Sequence, residues 1–153
     1  MNYWIFQGRK DMYKFNLPFI FDNWGVKRFI NEIKEGDKGI VWLTGNQAGC
    51  YALINIVSNP GVLGISGDNP RWNEENPLGR KFKDEDKTRL KVKVEITHNL
   101  FKNPLLRKHL ATGKDLKTIP GLEHLHVGAG YIGTNFPLKK GEYEIITDLI
   151  RVR

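Results

Sequence analysis

The segment from Phe21 to Thr44 combines a helical apolar pattern with a strand pattern. Its apolar side chains are spaced at i, i+3, i+4 and i+7, and they are Val26, Phe29, Ile30 and Ile33. This spacing predicts a short amphipathic helix over residues 24–34. Gly36 follows where a helix commonly takes a left-handed C-terminal residue. Gly39 to Thr44 is rich in β-branched and apolar residues and predicts a strand, so this segment indicates a mixed domain.

Other segments complete a predicted α+β fold. Strands are predicted from Asn2 to Gln7, from Cys50 to Ser58 and from Arg89 to Phe101. The glycine-containing loop 45–49 makes the second of these the partner of Gly39–Thr44 in a hairpin, and its nearly continuous apolar run predicts burial on both faces. Helices are predicted over residues 104–111, with Leu105, Leu106, His109 and Leu110 packing inward, and over residues 138–150. The order of elements favours a small curved sheet or barrel with flanking helices.

Length and composition bound the class of protein. The 153 residues suit one domain, taken here as 1–153, and 40% hydrophobic with 27% charged residues is typical of a globular chain. No apolar run approaches the length of a membrane span, and residues 1–9 have no targeting pattern, so a cytoplasmic location without membrane partners is expected. Cys50, the single cysteine, cannot form an internal disulfide.

The positive charge is concentrated in residues 80–117. That segment holds 12 Lys or Arg against five Asp or Glu, while the rest of the chain is balanced, so the segment carries the whole net charge of +7. A local basic region predicts a polyanionic partner such as nucleic acid, and the alternative is a lysine-rich solvated surface. We expect the strand from Arg89 to point its basic face, which includes Lys91 and Lys93, outward toward the phosphates.

Catalytic and metal-binding patterns are weak. The sequence has neither a GxxxxGK[ST] phosphate loop nor a GxSxG elbow. His124 and His126 form an HxH pair without further ligands at suitable spacing, and Cys50 opens a strand where a thiol is expected to be buried and inert. Asp84, Glu85 and Asp86 are more typical of a solvated loop. We therefore predict a binding protein without a cofactor or metal, and not an enzyme.

Several short motifs occur in an order that resembles the EVE domain, a PUA-like relative of the YTH domain. They are Tyr3–Gln7, Trp24–Val26, Ile33–Asp37, Val41–Tyr51 and Gly133–Leu138. The resemblance runs from residue 3 to about residue 150. It implies a twisted, partly closed β-barrel flanked by helices, with a pocket that accepts one nucleobase flipped out of its strand.

The resemblance also implies site residues. Trp24 corresponds to an aromatic cage residue, with Gly25 and Val26 beside it, and Gln7-Gly8 stands at the base edge where many EVE domains have Lys-Ser. Trp42 or Trp72 would complete the cage. The alternatives are that Trp24 simply fills the core and that Trp72 folds back as a lid. The predicted phosphate-binding residues are Arg80, Lys81, Lys83, Arg89, Lys91, Lys93, Arg107 and Lys108.

The expected function is that of a non-catalytic reader of a modified base, either N6-methyladenine or methylated or hydroxymethylated cytosine. DNA is favoured over RNA as the partner. The resemblance to the reading domains of McrBC-type systems implies a specificity module that works with further domains or subunits of a restriction complex. Two alternatives stay open from the sequence: a reader of modified RNA, and a protein or enzyme that binds a free nucleobase or nucleotide.

Overall fold

The computed structural model describes residues 1–9, 23–62, 90–128 and 135–153. These ranges contain eight strands and one α-helix, α1, together with a 3₁₀ turn at Leu116–Thr118. The strands are β1 Tyr3–Arg9, β2 Asn23–Gly25, β3 Lys38–Thr44, β4 Gly49–Ile56, β5 Gly61–Val62, β6 Leu90–Asn99, β7 Leu105–Leu106 and β8 Asn135–Leu138, and α1 is Lys140–Arg151. No helix in the described part of the chain is long and apolar enough to cross a membrane.

The strands form a sheet in the order β2-β6-β4-β3-β1-β8, with β5 also pairing with β6 and β7 with β4. β1 and β3 run parallel from Tyr3 opposite Lys38 to Arg9 opposite Thr44, and the other pairs are antiparallel. Register shifts between β3 and β4 and between β4 and β6 help to bend the sheet. The sheet curls into a half-barrel with α1 at its C-terminal end, which confirms the predicted PUA-like α+β fold.

Two apolar cores lie on opposite faces of this sheet because side chains alternate along each strand. The first core contains Trp4 and Phe6 of β1 with Trp24 of β2. The second core contains Ile5 of β1, Trp42 of β3 and Cys50 of β4, and Ile146 of α1 covers it. The predicted C-terminal helix is thereby confirmed, with Glu142 in its first turn accepting a hydrogen bond from the Lys139 backbone N–H at 2.9 Å.

The predicted strands are also present, with ends shifted by a few residues. β3 and β4 form the predicted antiparallel hairpin, and every residue of β4 except Asn55 is buried.

The predicted helix over residues 24–34 is wrong. Trp24 is extended and pairs with Val92 of β6, and the Val26 backbone N–H donates to the Leu90 carbonyl at 2.9 Å. Phe29 has a φ of +57°, which interrupts a right-handed helix, and its side chain is 37% exposed. Pairing with β6 supplies hydrogen-bond partners for backbone N–H and C=O groups that a helix would otherwise have paired. Gly36 does take a left-handed φ of +95°, but in a turn and not at the end of a helix.

The predicted helix over residues 104–111 is also wrong. Leu105 and Leu106 pair as β7 with Cys50 and Gly49 of β4. The close approach of β7 to β4 depends on a glycine, because a Cβ at Gly49 would collide with the Leu105 carbonyl oxygen. The chain then turns back, and Leu110 is 76% exposed and does not pack inward.

Candidate functional site

The C-terminal end of β1 carries two of the predicted site residues, Gln7 and Gly8, which face opposite sides of the sheet. Gln7 is 8% exposed, and its side-chain amide makes a pair of hydrogen bonds to the backbone of Gly128. The Gly128 N–H donates to Oε1 at 3.1 Å, and Nε2 donates to the Gly128 carbonyl at 3.4 Å. Gly8 follows, buried, on the face of the strand that carries Phe6. Gln7 therefore fixes the chain around Gly128 against the end of β1.

Trp24 lies beside this strand end, in the first core. Its ring centroid is 6.5 Å from that of Phe6, in an edge-to-face arrangement, and its side chain is 4% exposed. Val26 is also buried, whereas Gly25 between them is partly exposed. The structure thus brings Trp24, Val26 and Gly8 to one face of the sheet. The burial of Trp24 agrees with the core-filling alternative and leaves little of the indole open to solvent.

Trp42 lies on the opposite face. It is 0% exposed, packs in the second core and stands opposite Gln7 in the register of β1 and β3. Its indole N–H has no hydrogen-bond acceptor among the described residues. The structure therefore does not bring Trp42 to Trp24, and the two do not form one cage. Trp72, the other predicted partner, lies outside the described residues.

Asn135 joins the segment after β2 to the strand end. It is 0% exposed and stands opposite Phe6 in the pairing of β8 with β1. Its Oδ1 accepts from the backbone N–H groups of Lys27 and Arg28 at 3.2 and 3.4 Å, and its Nδ2 donates to the Arg28 carbonyl at 2.6 Å. The sequence prediction omitted Asn135 as a site residue, although Asn135 belongs to the Gly133–Leu138 motif on which the resemblance rests.

Replacement of Asn135 with alanine is expected to lower the free energy of unfolding by about 1–3 kcal/mol, because buried backbone groups lose their partners. Amide hydrogen exchange at Lys27 and Arg28 should become faster than exchange in β3. Mass spectrometry of exchanged peptides, together with urea denaturation, measures both effects. Asn103→Ala removes an exposed asparagine and is the control. Unchanged exchange at Lys27 and Arg28 would contradict the tethering role.

The predicted phosphate-binding residues are only partly exposed at the surface. Lys93 and Lys108 are exposed, and the Arg107 Nε forms an ion pair with Asp115 at 3.3 Å. Lys91, however, is 0% exposed, so the prediction that it faces outward is wrong. Its partners in register are Gly25 and Gly61, and the absence of side chains there leaves room for its long stem. Arg80, Lys81, Lys83 and Arg89 lie outside the described residues.

Two further cations stand closer to Trp24 than the sequence prediction recognised. Lys27 and Arg28 are exposed, and Asn135 holds their backbone. The prediction missed them because it placed them within a helix. Their position puts positive charge directly after the Trp24–Val26 segment, where a phosphate next to a bound base would need it.

Cys50 offers no reactive thiol. It is 0% exposed, and burial raises the pKa of its thiol to about 12. The prediction of a buried cysteine is confirmed, and the thiol stays protonated near neutral pH. Across the described ranges, no three His, Cys, Asp or Glu side chains are grouped so that they could hold a metal ion.

The curled sheet and the C-terminal helix define a PUA-like domain. The family model for the EVE domain matches residues 2–149, and the chain belongs to the EVE family. A search of curated proteins found no match.

Solved structures with the same fold share little sequence with this chain. A protein from Pseudomonas putida has a TM-score of 0.57 at 16% identity, with 96% of this chain and 98% of that chain covered. Rpa0253 from Rhodopseudomonas palustris has a TM-score of 0.57 at 11% identity, with 99% and 94% covered. Human THYN1, solved in complex with DNA that contains 5-methylcytosine, has a TM-score of 0.53 at 16% identity, with 97% of each chain covered.

Proposed function

We propose that this protein binds DNA that carries a modified base and holds that base at the C-terminal end of β1. The observation that carries the proposal is that an indole and a tethered basic segment lie together on the face of this strand end that carries Phe6. These are Trp24 and the Lys27–Arg28 pair held by Asn135, whereas Gln7 faces the other side of the sheet. Membership of the EVE family supports this assignment, and so does the THYN1 complex with 5-methylcytosine DNA.

The energetics set requirements for such a site. Stacking of one base on an aromatic ring is worth about 1–3 kcal/mol, whereas unstacking that base from a duplex costs a few kcal/mol. Trp24 is 4% exposed, so a base can reach its face only when the neighbouring residues move apart. We expect the segment after Val26 to move on binding, because the side chains of Lys27 and Arg28 are exposed and hydrogen bonds to the Asn135 side chain hold their backbone.

Recognition of the modification and overall affinity would have different sources. Burial of one added methyl group contributes under about 1 kcal/mol, so discrimination depends on the shape of the pocket. Affinity would come from phosphate contacts of exposed cations, including Lys27, Arg28, Lys93 and Lys108. We therefore expect binding to weaken steeply as salt rises, while the preference for the modified base changes little.

Fluorescence anisotropy with one duplex sequence tests the proposal. The duplex is prepared unmodified, with 5-methylcytosine, with 5-hydroxymethylcytosine and with N6-methyladenine, and each form is titrated at two salt concentrations. We expect a preference of about tenfold or more for one modified form, equivalent to about 1.4 kcal/mol. Equal, salt-sensitive binding to all forms would refute the reading of a modified base, and tighter binding to a matched modified RNA would favour the RNA alternative.

Two matched variants test whether the base binds beside Trp24. Trp24→Phe keeps an apolar ring but removes the indole N–H and the second ring of the stacking surface, and we expect it to lose the preference for the modified base. Trp42→Phe makes the same change in a buried indole on the opposite face, and we expect it to retain the preference. Equal behaviour of the two folded variants would contradict the placement of the base beside Trp24.

The remaining parts of the proposal rest on the family resemblance. We propose a reader that acts without catalysis, in the cytoplasm, as the specificity module of a modification-dependent restriction system. Capture of further subunits by the tagged protein on modified DNA, but not on the unmodified duplex, would support that role. Free nucleobase or nucleotide competing at micromolar concentration would instead favour the small-molecule alternative.

A further inference from the structure

The chain between β7 and the 3₁₀ turn forms a tight, well-bonded tip. The turn spans residues 108–115, which pair at their ends, and the His109 N–H donates to the Lys114 carbonyl at 3.0 Å. The Gly113 N–H donates to the His109 carbonyl at 2.7 Å, with Gly113 at a φ of +68°. The backbone N–H groups of Ala111 and Thr112 both lie 3.3 Å from His109 Nδ1. These bonds fix the tip in one shape.

The tip presents a leucine between cations. Leu110 is 76% exposed, and Lys108 and Lys114 beside it are exposed. A leucine left in water forgoes the favourable burial of its side chain, and Leu110 is the large apolar residue of this turn. An apolar side chain flanked by positive charge fits a partner that is anionic outside and apolar within. A DNA duplex has this construction, since phosphates surround its stacked bases.

The base of the tip lies near Gln7 at the C-terminal end of β1. The Arg107 N–H donates to the Ala48 carbonyl at 2.8 Å, beside the start of β4. Arg107 Nη1 lies close to Gly128, at 2.9 Å from where a Cβ of that residue would be. Gly128 is the residue whose backbone Gln7 holds. The tip therefore projects from the same end of the sheet as the end of β1.

We propose that Leu110 is a wedge that enters the base stack of bound DNA when the modified base leaves it. This inference rests on the proposed function. Proteins that unstack base steps commonly insert an apolar side chain at the gap, which offsets part of the lost stacking. Lys108 and Lys114 would contact the phosphates on either side of the insertion, and the bonded turn would hold the leucine extended.

The test compares Leu110→Ala with Val152→Ala, which truncates an equally exposed apolar residue at 79% on the end of α1. Binding is measured to a duplex with the modified base and to the single modified strand. A wedge is needed only where a duplex has to be opened, so Leu110→Ala should lose about tenfold in affinity for the duplex and less than about twofold for the single strand. Val152→Ala should match the wild-type protein on both.

A second readout follows the base stack directly. 2-Aminopurine placed next to the modified base fluoresces more strongly when unstacked, and the increase at saturating protein should be smaller with Leu110→Ala than with wild type. Duplex affinity and fluorescence equal to those of Val152→Ala would overturn the wedge alone, provided that the wild type prefers the modified duplex. A wild-type protein without that preference would overturn the proposed function and the wedge with it.

Discussion

Replacement of Trp24 with alanine is expected to lower the free energy of unfolding by about 3–5 kcal/mol, the usual cost of removing a large aromatic side chain from a core. The indole is 4% exposed, packs edge-on against Phe6 and belongs to the same core as Val92. Urea denaturation followed by circular dichroism measures the effect. A loss below about 1 kcal/mol would show that Trp24 contributes little to the core.

Binding experiments on Trp24 variants have to allow for this loss of stability. A change that destabilises the domain so strongly also abolishes binding in any unfolded fraction, so loss of binding by Trp24→Ala alone does not locate the base. Trp24→Phe is the better probe, because a ring remains against Phe6. Its comparison with Trp42→Phe holds the chemistry of the substitution constant while the face of the sheet differs.

Replacement of Asp37 with alanine is expected to be comparably severe. The carboxylate is buried, and its Oδ2 accepts from Trp4 Nε1 at 2.9 Å and from the Lys34 N–H at 3.0 Å. Its Oδ1 accepts from the Asn2 N–H at 3.0 Å. Hydrogen bonds to a charged group contribute about 1.5–3 kcal/mol each, and three donors lose their acceptor together, so we expect a loss of about 3–5 kcal/mol in the free energy of unfolding.

Asp148→Ala is the matched control for Asp37→Ala. Asp148 is an exposed aspartate that contacts Arg151 at 3.4 Å on the surface of α1, and exposed ion pairs contribute at most about 1 kcal/mol. Urea denaturation of both variants under the same conditions gives the comparison. If Asp37→Ala costs no more than Asp148→Ala, the buried carboxylate does not tie β1 to the turn before β3.

The Asp37 contacts give a structural reason for one of the motifs on which the family resemblance rests. Within Ile33–Asp37, Ile33 is buried in the first core and Gly36 supplies the positive φ of the turn. Asp37 then bonds to Trp4, a residue of the first motif. Two short motifs, joined by a bond between residues 33 positions apart, are therefore parts of one arrangement.

The sequence by itself determined the elements whose local pattern and burial agree. Alternation of apolar residues located β6, and segments rich in apolar, aromatic and β-branched residues located β1, β3 and β4. The glycine-containing loop located the β3–β4 hairpin. The amphipathic spacing of residues 138–150 located α1, since its apolar face meets the second core. The succession of short motifs indicated the EVE family, and the order of predicted strands and helices along the chain indicated the α+β class.

Only the tertiary structure decided the outcome where one local pattern suited two structures. Residues 24–34 have helical spacing, yet pairing with β6 made Trp24 part of a strand, and residues 105–106 joined β4 because Gly49 leaves space. Lys91 is buried although alternation predicts an outward side chain, since its register partners are glycines. Trp24 and Trp42 lie on opposite faces of the sheet, and hydrogen bonds hold Gln7 and Asn135 at the end of β1. Both features depend on contacts between residues distant in the chain, which no local pattern encodes.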